Sequence, residues 1–321
     1  MNRSRILVAV VLFFALFAVV SCDHTPPHEH EFGPCVINGD GVFRSCACGY
    51  TEKVDEPVAI SSEPEFFSAV EYGVDVILKA DVLVTSGNGA DEYFHFAKDI
   101  EVDLNGHELS FNVSVQLDKA DAPYKVSFVN GKILSNDEGA IGEIVVSDDA
   151  LLYMKDVDFC SRSLHCGIVV KNSSVEIVDS KVFSFGSYGI SSDASGESSS
   201  ITIRNSTVST EEEESGDNTA IFFGVQNGYV EIYDSTIVGD RQALVIRCGK
   251  EHFIENSTLK ATGLHSRSFS RWSSGNEVPN AALVVGNGYD YDPYKSETFV
   301  GLHNAKFDAP VDDHYYAIYV Y

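Results

Sequence analysis

Residues able to do chemistry gather in three places along this chain. In the stretch 28–54, His30, Cys35, Cys46 and Cys48 follow the spacing H-x4-C-x10-C-x-C. One imidazole and three thiolates can complete a tetrahedral zinc site, which would fold a segment too small to bury an apolar core. A disulfide from Cys35 to Cys46 or Cys48 uses the same residues differently, and a stalk with loose thiols is a third reading. The second group lies in 261–280, where His265, Arg267, Phe269, Arg271 and the only tryptophan, Trp272, occur together. The third, in 286–296, brings Tyr289, Asp290, Tyr291, Asp292 and Tyr294. Aromatic rings stack on the C–H faces of sugars, and Arg or Asp bonds hydroxyls or carboxylates, so both loops suit a glycan. Asp290-x-Asp292, and Asp91-Glu92 in another Gly-rich loop, also offer oxygen ligands to calcium.

No grouping of residues reads as catalytic, and none as a site for an organic cofactor. The adjacent pairs Asp148-Asp149 and Asp312-Asp313 sit in turn-like contexts. In a chain with 48 acidic residues such pairs read first as solvated turns. Cys160 follows one apolar run and Cys166 opens the next, so they suit either a disulfide across the turn or two thiols stacked in the core.

What must position these groups is a repeat. The segments VDLNGHEL (102–109), VSFVNGKI (126–133), LYMKDVDF (152–159), VEIVDSKV (175–182), ITIRNSTV (201–208), VEIYDSTI (230–237), HFIENSTL (252–259) and VGLHNAKF (300–307) are self-similar. Aligned on Leu104, Phe128, Met154, Ile177, Ile203, Ile232, Ile254 and Leu302, they are spaced 24, 26, 23, 26, 29, 22 and 48 residues apart. Apolar and polar residues alternate within each, as in a half-buried strand. Asn130, Asp156, Asp179, Asn205, Asp234, Asn256 and Asn304, with Gly106 in the first segment, fall two positions after the aligned residue. These residue types tolerate left-handed backbone angles, so each marks a corner. The Asn-x-Ser/Thr triplets at Asn112, Asn172, Asn205 and Asn256 read as corners for the same reason.

A further strand precedes each later pair, for example AIFF (220–223), ALVI (243–246) and ALVV (282–285). Three short strands per coil describe an all-β solenoid, whose stacked coils share one core. About eight or nine coils would make a rod on the order of 40 Å long. EPEFFSAVEY (63–72), bounded by Pro64 and Gly73, predicts a short capping helix. The insertions 261–280 and 286–296 leave opposite ends of the strand 282–285 and should wall its sheet. If Ile221, Leu244, Leu283 and Ile318 point inward, then Phe222, Val245, Val284 and Tyr319 form an outward apolar row. Such a row predicts a contact, or a covering by the 261–280 loop.

Over residues 63–321 the repeats resemble the right-handed parallel β-helix superfamily that includes pectate lyases. Val102-Asp103-Leu104-Asn105-Gly106-His107 looks like the first coil of many bacterial surface members. The family's pectin-cleaving enzymes use grouped carboxylates with a nearby Arg or Lys, or Asp pairs with Gly-His-Gly, and neither arrangement is found here. Arg3 and Arg5, the apolar run Ile6–Val20, and Ser21-Cys22 read as an export signal. Their ending resembles the lipobox of bacterial lipoproteins, which implies that Cys22 carries the lipid. Cys46-x-Cys48-Gly49-Tyr50 resembles the end of a small Cys-rich module found beside β-helices in surface proteins of anaerobic bacteria.

The expected organisation is a signal peptide (1–21), a tether (22–30), a Cys/His-rich module (28–54), a linker (55–62) and the β-helix (63–321). Loss of residues 1–21 removes two arginines and no acid, so the formal charge of −26 becomes −28. That charge repels nucleic acid and argues against it as a partner. The expected function is a non-catalytic lipoprotein held on a bilayer in the cell envelope, presenting its loops to a glycan or protein. The alternatives are a polysaccharide lyase or hydrolase working between the two insertions, and an envelope component self-associating at its C-terminal strand edge.

Overall fold

A computed structural model of the chain describes residues 31–54, 57–118, 123–136, 143–192, 198–211, 218–264, 280–286, 298–311 and 315–321. The alternation seen in the repeats is realised as parallel strands. Val175 and Ile177 are buried while Glu176 between them is partly exposed. Each of these strands pairs with its counterpart one coil earlier and one coil later.

Three ladders result, and the chain is a parallel β-helix. One is a nine-stranded parallel sheet of Phe94–Phe96, Val115–Leu117, Ile144–Val146, Cys166–Val170, Tyr188–Ser192, Thr219–Phe223, Gln242–Ile246, Asn280–Val285 and Tyr315–Val320, here called the long face. The other two ladders meet at the Asn/Asp corner. Lys125–Ser135 and Leu151–Ser161 run through that corner unbroken and join the two into one bent sheet.

Phe128, Met154, Ile177, Ile203, Ile232, Ile254 and Leu302 are successive neighbours in one ladder. The long interval before Leu302 is therefore a single coil lengthened by insertions. The first repeat needs a correction. Phe128 pairs with Val102 rather than Leu104, and register is regained only where Ile133 meets Leu109. Two extra residues are accommodated there because Asn105 and Gly106 are both left-handed, at φ +50° and +81°.

The other corners each use one residue. Asn130, Asp156, Asp179, Asn205, Asp234, Asn256 and Asn304 have φ between +47° and +61°, a region in which Asn and Asp cost least among residues with a Cβ. A serine follows four of them. The backbone N–H groups of Val157, Ser180, Ser206 and Ser235 donate to the hydroxyls of Ser180, Ser206, Ser235 and Ser257, each at 3.0 Å. Each of those hydroxyls donates in turn to the carbonyl two residues before it. The corner thus carries its own hydrogen-bond ladder where the strand ladders break.

The N-terminal end of the core is closed by the helix Glu63–Tyr72, over the residues that the sequence predicts. Phe66, Ala69 and Val70 face inward, and the Phe66 ring stacks on Phe94 at 5.6 Å and meets Phe96 and Phe111 edge-on. Gly73, at φ +69°, ends the helix, with the Val74 N–H on the Ala69 carbonyl. The β-helix starts earlier than expected, because Val58–Ile60, in the supposed linker, already pairs in parallel with Val76–Leu78. Before it lies a small antiparallel sheet of Phe32–Asn38, Gly41–Cys46 and Thr51–Lys53. Its Ile37 and Val42 belong to the same buried cluster as Phe66.

The buried positions include an imidazole. His252 is fully buried, in register with Val300 of the next coil, and its Nδ1 accepts the Val230 N–H at 3.0 Å. Gly249, at φ +114°, closes over the ring where a Cβ would collide with the imidazole. Burial lowers the His252 pKa to about 4, despite a backbone hydrogen bond that opposes the shift. The unfolded chain therefore binds a proton that the folded one refuses as pH falls from about 6.5 to 4, and stability drops across that window. The loss is roughly 3 kcal/mol, complete below the folded pKa. His252→Val should flatten that part of the pH profile. At neutral pH it should cost about 1–3 kcal/mol, because the Val230 N–H loses its acceptor. Urea unfolding across the same window measures both effects.

Candidate functional site

The strand Asn280–Val285 lies between Gln242–Ile246 and Tyr315–Val320 in the long face, with the two insertions at its ends. Its neighbourhood differs from the other ladders in being buried on both sides. Ile221, Leu244 and Leu283 point into the solenoid core. Their neighbours Phe222, Val245 and Val284 form a separate buried cluster with Ala281, against which Tyr188 and Tyr319 pack. Val245 and Val284 are 0% exposed, so the outward apolar row is covered rather than open to solvent. Arg247 adds its guanidinium at 4.9 Å from the Phe222 ring centroid.

The start of this sheet is polar and equally dry. Asn218, Thr219, Asp240, Arg241, Gln242 and Asn280 are all buried. Asp240 Oδ1 accepts the Thr262 hydroxyl at 3.0 Å and the Leu264 N–H at 2.6 Å, and its Oδ2 accepts the Asn218 amide at 3.4 Å. Arg241 Nε donates to Asn280 Oδ1 at 2.9 Å, while the Ala281 N–H donates to the Arg241 carbonyl. The Thr219 hydroxyl donates to Gln242 Oε1 at 2.6 Å. The consequence is specific: the outgoing foot of the first insertion is held by Asp240 and its returning foot by Arg241, adjacent residues of one turn. The second insertion leaves at Gly286, whose N–H donates to the Ile246 carbonyl, and rejoins at Phe299, whose N–H donates to the Lys250 carbonyl.

His265, Arg267, Phe269, Arg271, Trp272, Tyr289, Asp290, Tyr291, Asp292 and Tyr294 lie outside the described residues, as do Cys22 and His30. Sequence reasoning missed Asp240, Arg241 and Asn280. Their signal was present: Asn218-Thr-Ala, Arg241-Gln-Ala and Asn280-Ala-Ala precede three all-apolar strands in the same register. Polar residues at equivalent places before fully buried strands mark a buried network.

Elsewhere the candidates disperse. Asp91 accepts from His95 Nε2 at 2.7 Å, and His95 Nδ1 lies 2.8 Å from Asp118, so this carboxylate serves an imidazole. Burial, reinforced by the Asp118 charge, raises the pKa of the nearby Tyr124, whose hydroxyl donates to the Phe96 carbonyl. Asp148 and Asp149 occupy left-handed turn positions. Cys160 and Cys166 do not form a disulfide. Cys46 bonds to Cys48 while Cys35 keeps its thiol, so the disulfide from Cys35, one of the three readings of this segment, is not formed. In that form neither sulfur is a thiolate, so the zinc set His30, Cys35, Cys46 and Cys48 would require the pair reduced. Among the described residues no three His, Cys, Asp or Glu side chains converge as a metal cluster. An open groove of about 490 Å³ follows the corner between Asn130 and Thr207. Asn205 bonds Asp179 and Lys181 meets Asp158 there, so its polar groups partner one another.

No protein-family model matches the chain, and no curated protein does. Among solved structures, the crystal structure of PfbA, a surface adhesin of Streptococcus pneumoniae, is similar at 13% sequence identity. The match covers 80% of this chain and 74% of that one, with a TM-score of 0.39.

The two feet give separate predictions. Arg241→Met removes the Nε donor from Asn280 Oδ1 and should cost about 1–3 kcal/mol in chemical denaturation. Asp240→Ala should cost about 1–3 kcal/mol and speed protease cleavage within 262–280, read by timed digestion and mass mapping.

Proposed function

We propose that this chain is an exported lipoprotein, anchored in the bacterial envelope through Cys22, which binds a glycan or a protein on the outer side of its long face without transforming it. The observation that carries this reading is the clamp on the first insertion. Two adjacent buried polar residues, one of them cationic, hold both feet of a loop rich in Arg, His and aromatic residues. Burying such groups is costly unless they are satisfied, and a site on rigid supports is better preorganised than one on a free loop. The second insertion, with three tyrosines and two aspartates, starts from the other end of the same strand. Aromatic and arginine side chains dominate recognition surfaces because they bury large area with few degrees of freedom.

The mature chain should bind a subset of an immobilised panel of glycans and matrix proteins. Trp272→Ala and Tyr291→Ala should each weaken that binding about tenfold or more while leaving the melting temperature unchanged. Unsaturated or reducing-end products from pectin, alginate or a glycosaminoglycan would replace this reading with the lyase or hydrolase one. Cys22→Ser should move the protein from the membrane fraction to the soluble one, and a membrane-bound Cys22→Ser protein would refute the lipid anchor.

A further inference from the structure

The ladder that ends at Phe299–His303 lies on a different side of the solenoid from the long face, and its last strands expose aromatic rings. Val230, Ile232, His252 and Ile254 point inward, so the residues alternating with them point out. Tyr229, Phe253 and Phe299 stand on three successive strands and are 41%, 44% and 61% exposed. Single exposed aromatics are ordinary, whereas three on adjoining strands form a patch that a contact would cover. The register fixes their neighbours. Phe253 lies between Glu231 on one side and Gly301 on the other, and Phe299 lies beside Glu251. A Cβ at Gly301 would meet the Phe253 ring at 2.9 Å, so the ring reaches over the next strand and the glycine makes room for it.

The same sheet shows what such rings attract. Nearer its start, the Lys125 ammonium sits 4.0 Å from the Tyr153 ring centroid, and the Arg204 guanidinium sits 4.2 Å from that of Tyr233. Each cation comes from the strand one coil before its ring. Arg204 also faces the Glu231 carboxylate at 3.6 Å, so a ring and an acid hold it together. Over the last two strands the pairing of ring and acid continues, but the cation does not. Glu255 takes His303 at 3.1 Å. Among the described residues no Lys or Arg lies over Tyr229, Phe253 or Phe299, and Glu251 has no ion-pair partner.

We propose that this end of the sheet binds a basic segment of a partner protein, with an arginine or lysine side chain lying against Phe253 and Phe299 and its charge on Glu251. The partner's cation takes the place that Lys125 and Arg204 fill further along the same sheet. Arginine suits it best, because its planar head stacks on a ring while its N–H groups reach a carboxylate. The formal charge of −26 on the whole chain draws such a segment in, and the rings decide where it settles. This surface is separate from the insertions of the long face and stands without them.

Fluorescence anisotropy of a labelled arginine–serine decapeptide, titrated with the mature chain, tests the assignment. Phe253→Ala and Phe299→Ala should each weaken binding about fivefold with no change in net charge. Glu251→Gln should weaken it by a similar factor. Glu101→Gln removes the same charge from an exposed position at the opposite end of the sheet, and should leave binding within about twofold. Thermal melting confirms that each variant is folded. Three results would overturn the proposal. One is no binding of the peptide to the parent chain. Another is equal weakening by Glu251→Gln and Glu101→Gln with no effect of the phenylalanine changes, which is attraction by net charge alone. The third is a neutral oligosaccharide whose binding, unlike that of the peptide, is lost in Phe253→Ala, which would make the patch a glycan surface.

Discussion

The bend at each Asn or Asp corner is the constraint on which the rest of this molecule depends. A parallel coil can stack only if every turn of the chain bends at the same height, so that the strands before and after it stay in register. A left-handed residue makes the bend, but it interrupts the backbone ladders on either side. At four of the corners the serine that follows repairs the interruption, taking an N–H from the coil before and returning a bond to its own strand. Corner and serine together let the two ladders meet at an angle without leaving buried donors unmet. Where that economy is relaxed, at Asn105 and Gly106, the register slips by two residues and is regained within the same strand pair.

Once the corner fixes the coil, the two long insertions fall at the ends of one strand of the third side. The long face accepts insertions because its strand ends lie away from the corner ladder. It also accepts outward apolar residues, since Phe222, Val245 and Val284 are covered. The ionic groups Asp240 and Arg241 sit where the loops begin. A buried charge is destabilising unless every bonding direction is satisfied, so its natural use is to hold a segment that must stay in one place. Here that segment is the pair of feet under the aromatic and arginine-rich insertion. The buried imidazole of His252 serves the core in a similar way by accepting an N–H that would otherwise be stranded.

The small sheet at the N-terminus obeys different physics. Its strands are short and antiparallel, and it contributes only a few residues, Ile37 and Val42 among them, to the main core. Such a segment gains little from apolar burial, and Cys35, packed against the main core, and the buried Cys46 are part of what it gains.

Much of the fold was legible in the residues alone. The alternating segments, the recurrent Asn or Asp, and the Pro and Gly at the helix ends are local signals, and each reports a backbone preference that the neighbours do not override. The sequence by itself therefore determined the β-helix, the helix over residues 63–72, the directions of Ile221 and Phe222, and the single coil that carries both insertions. It misplaced the first register, because Leu104 and Val102 are equally apolar and only the pairing with Phe128 separates them. It left the apolar row as either a contact or a covered surface, and did not show that Cys46 takes Cys48 as its partner. Asp240, Arg241 and Asn280 also escaped, although they recur at equivalent places. Arg241 and Asn280 are 39 positions apart in the chain and meet only when the intervening coil stacks, so their burial and their hold on one loop were decided by the tertiary structure.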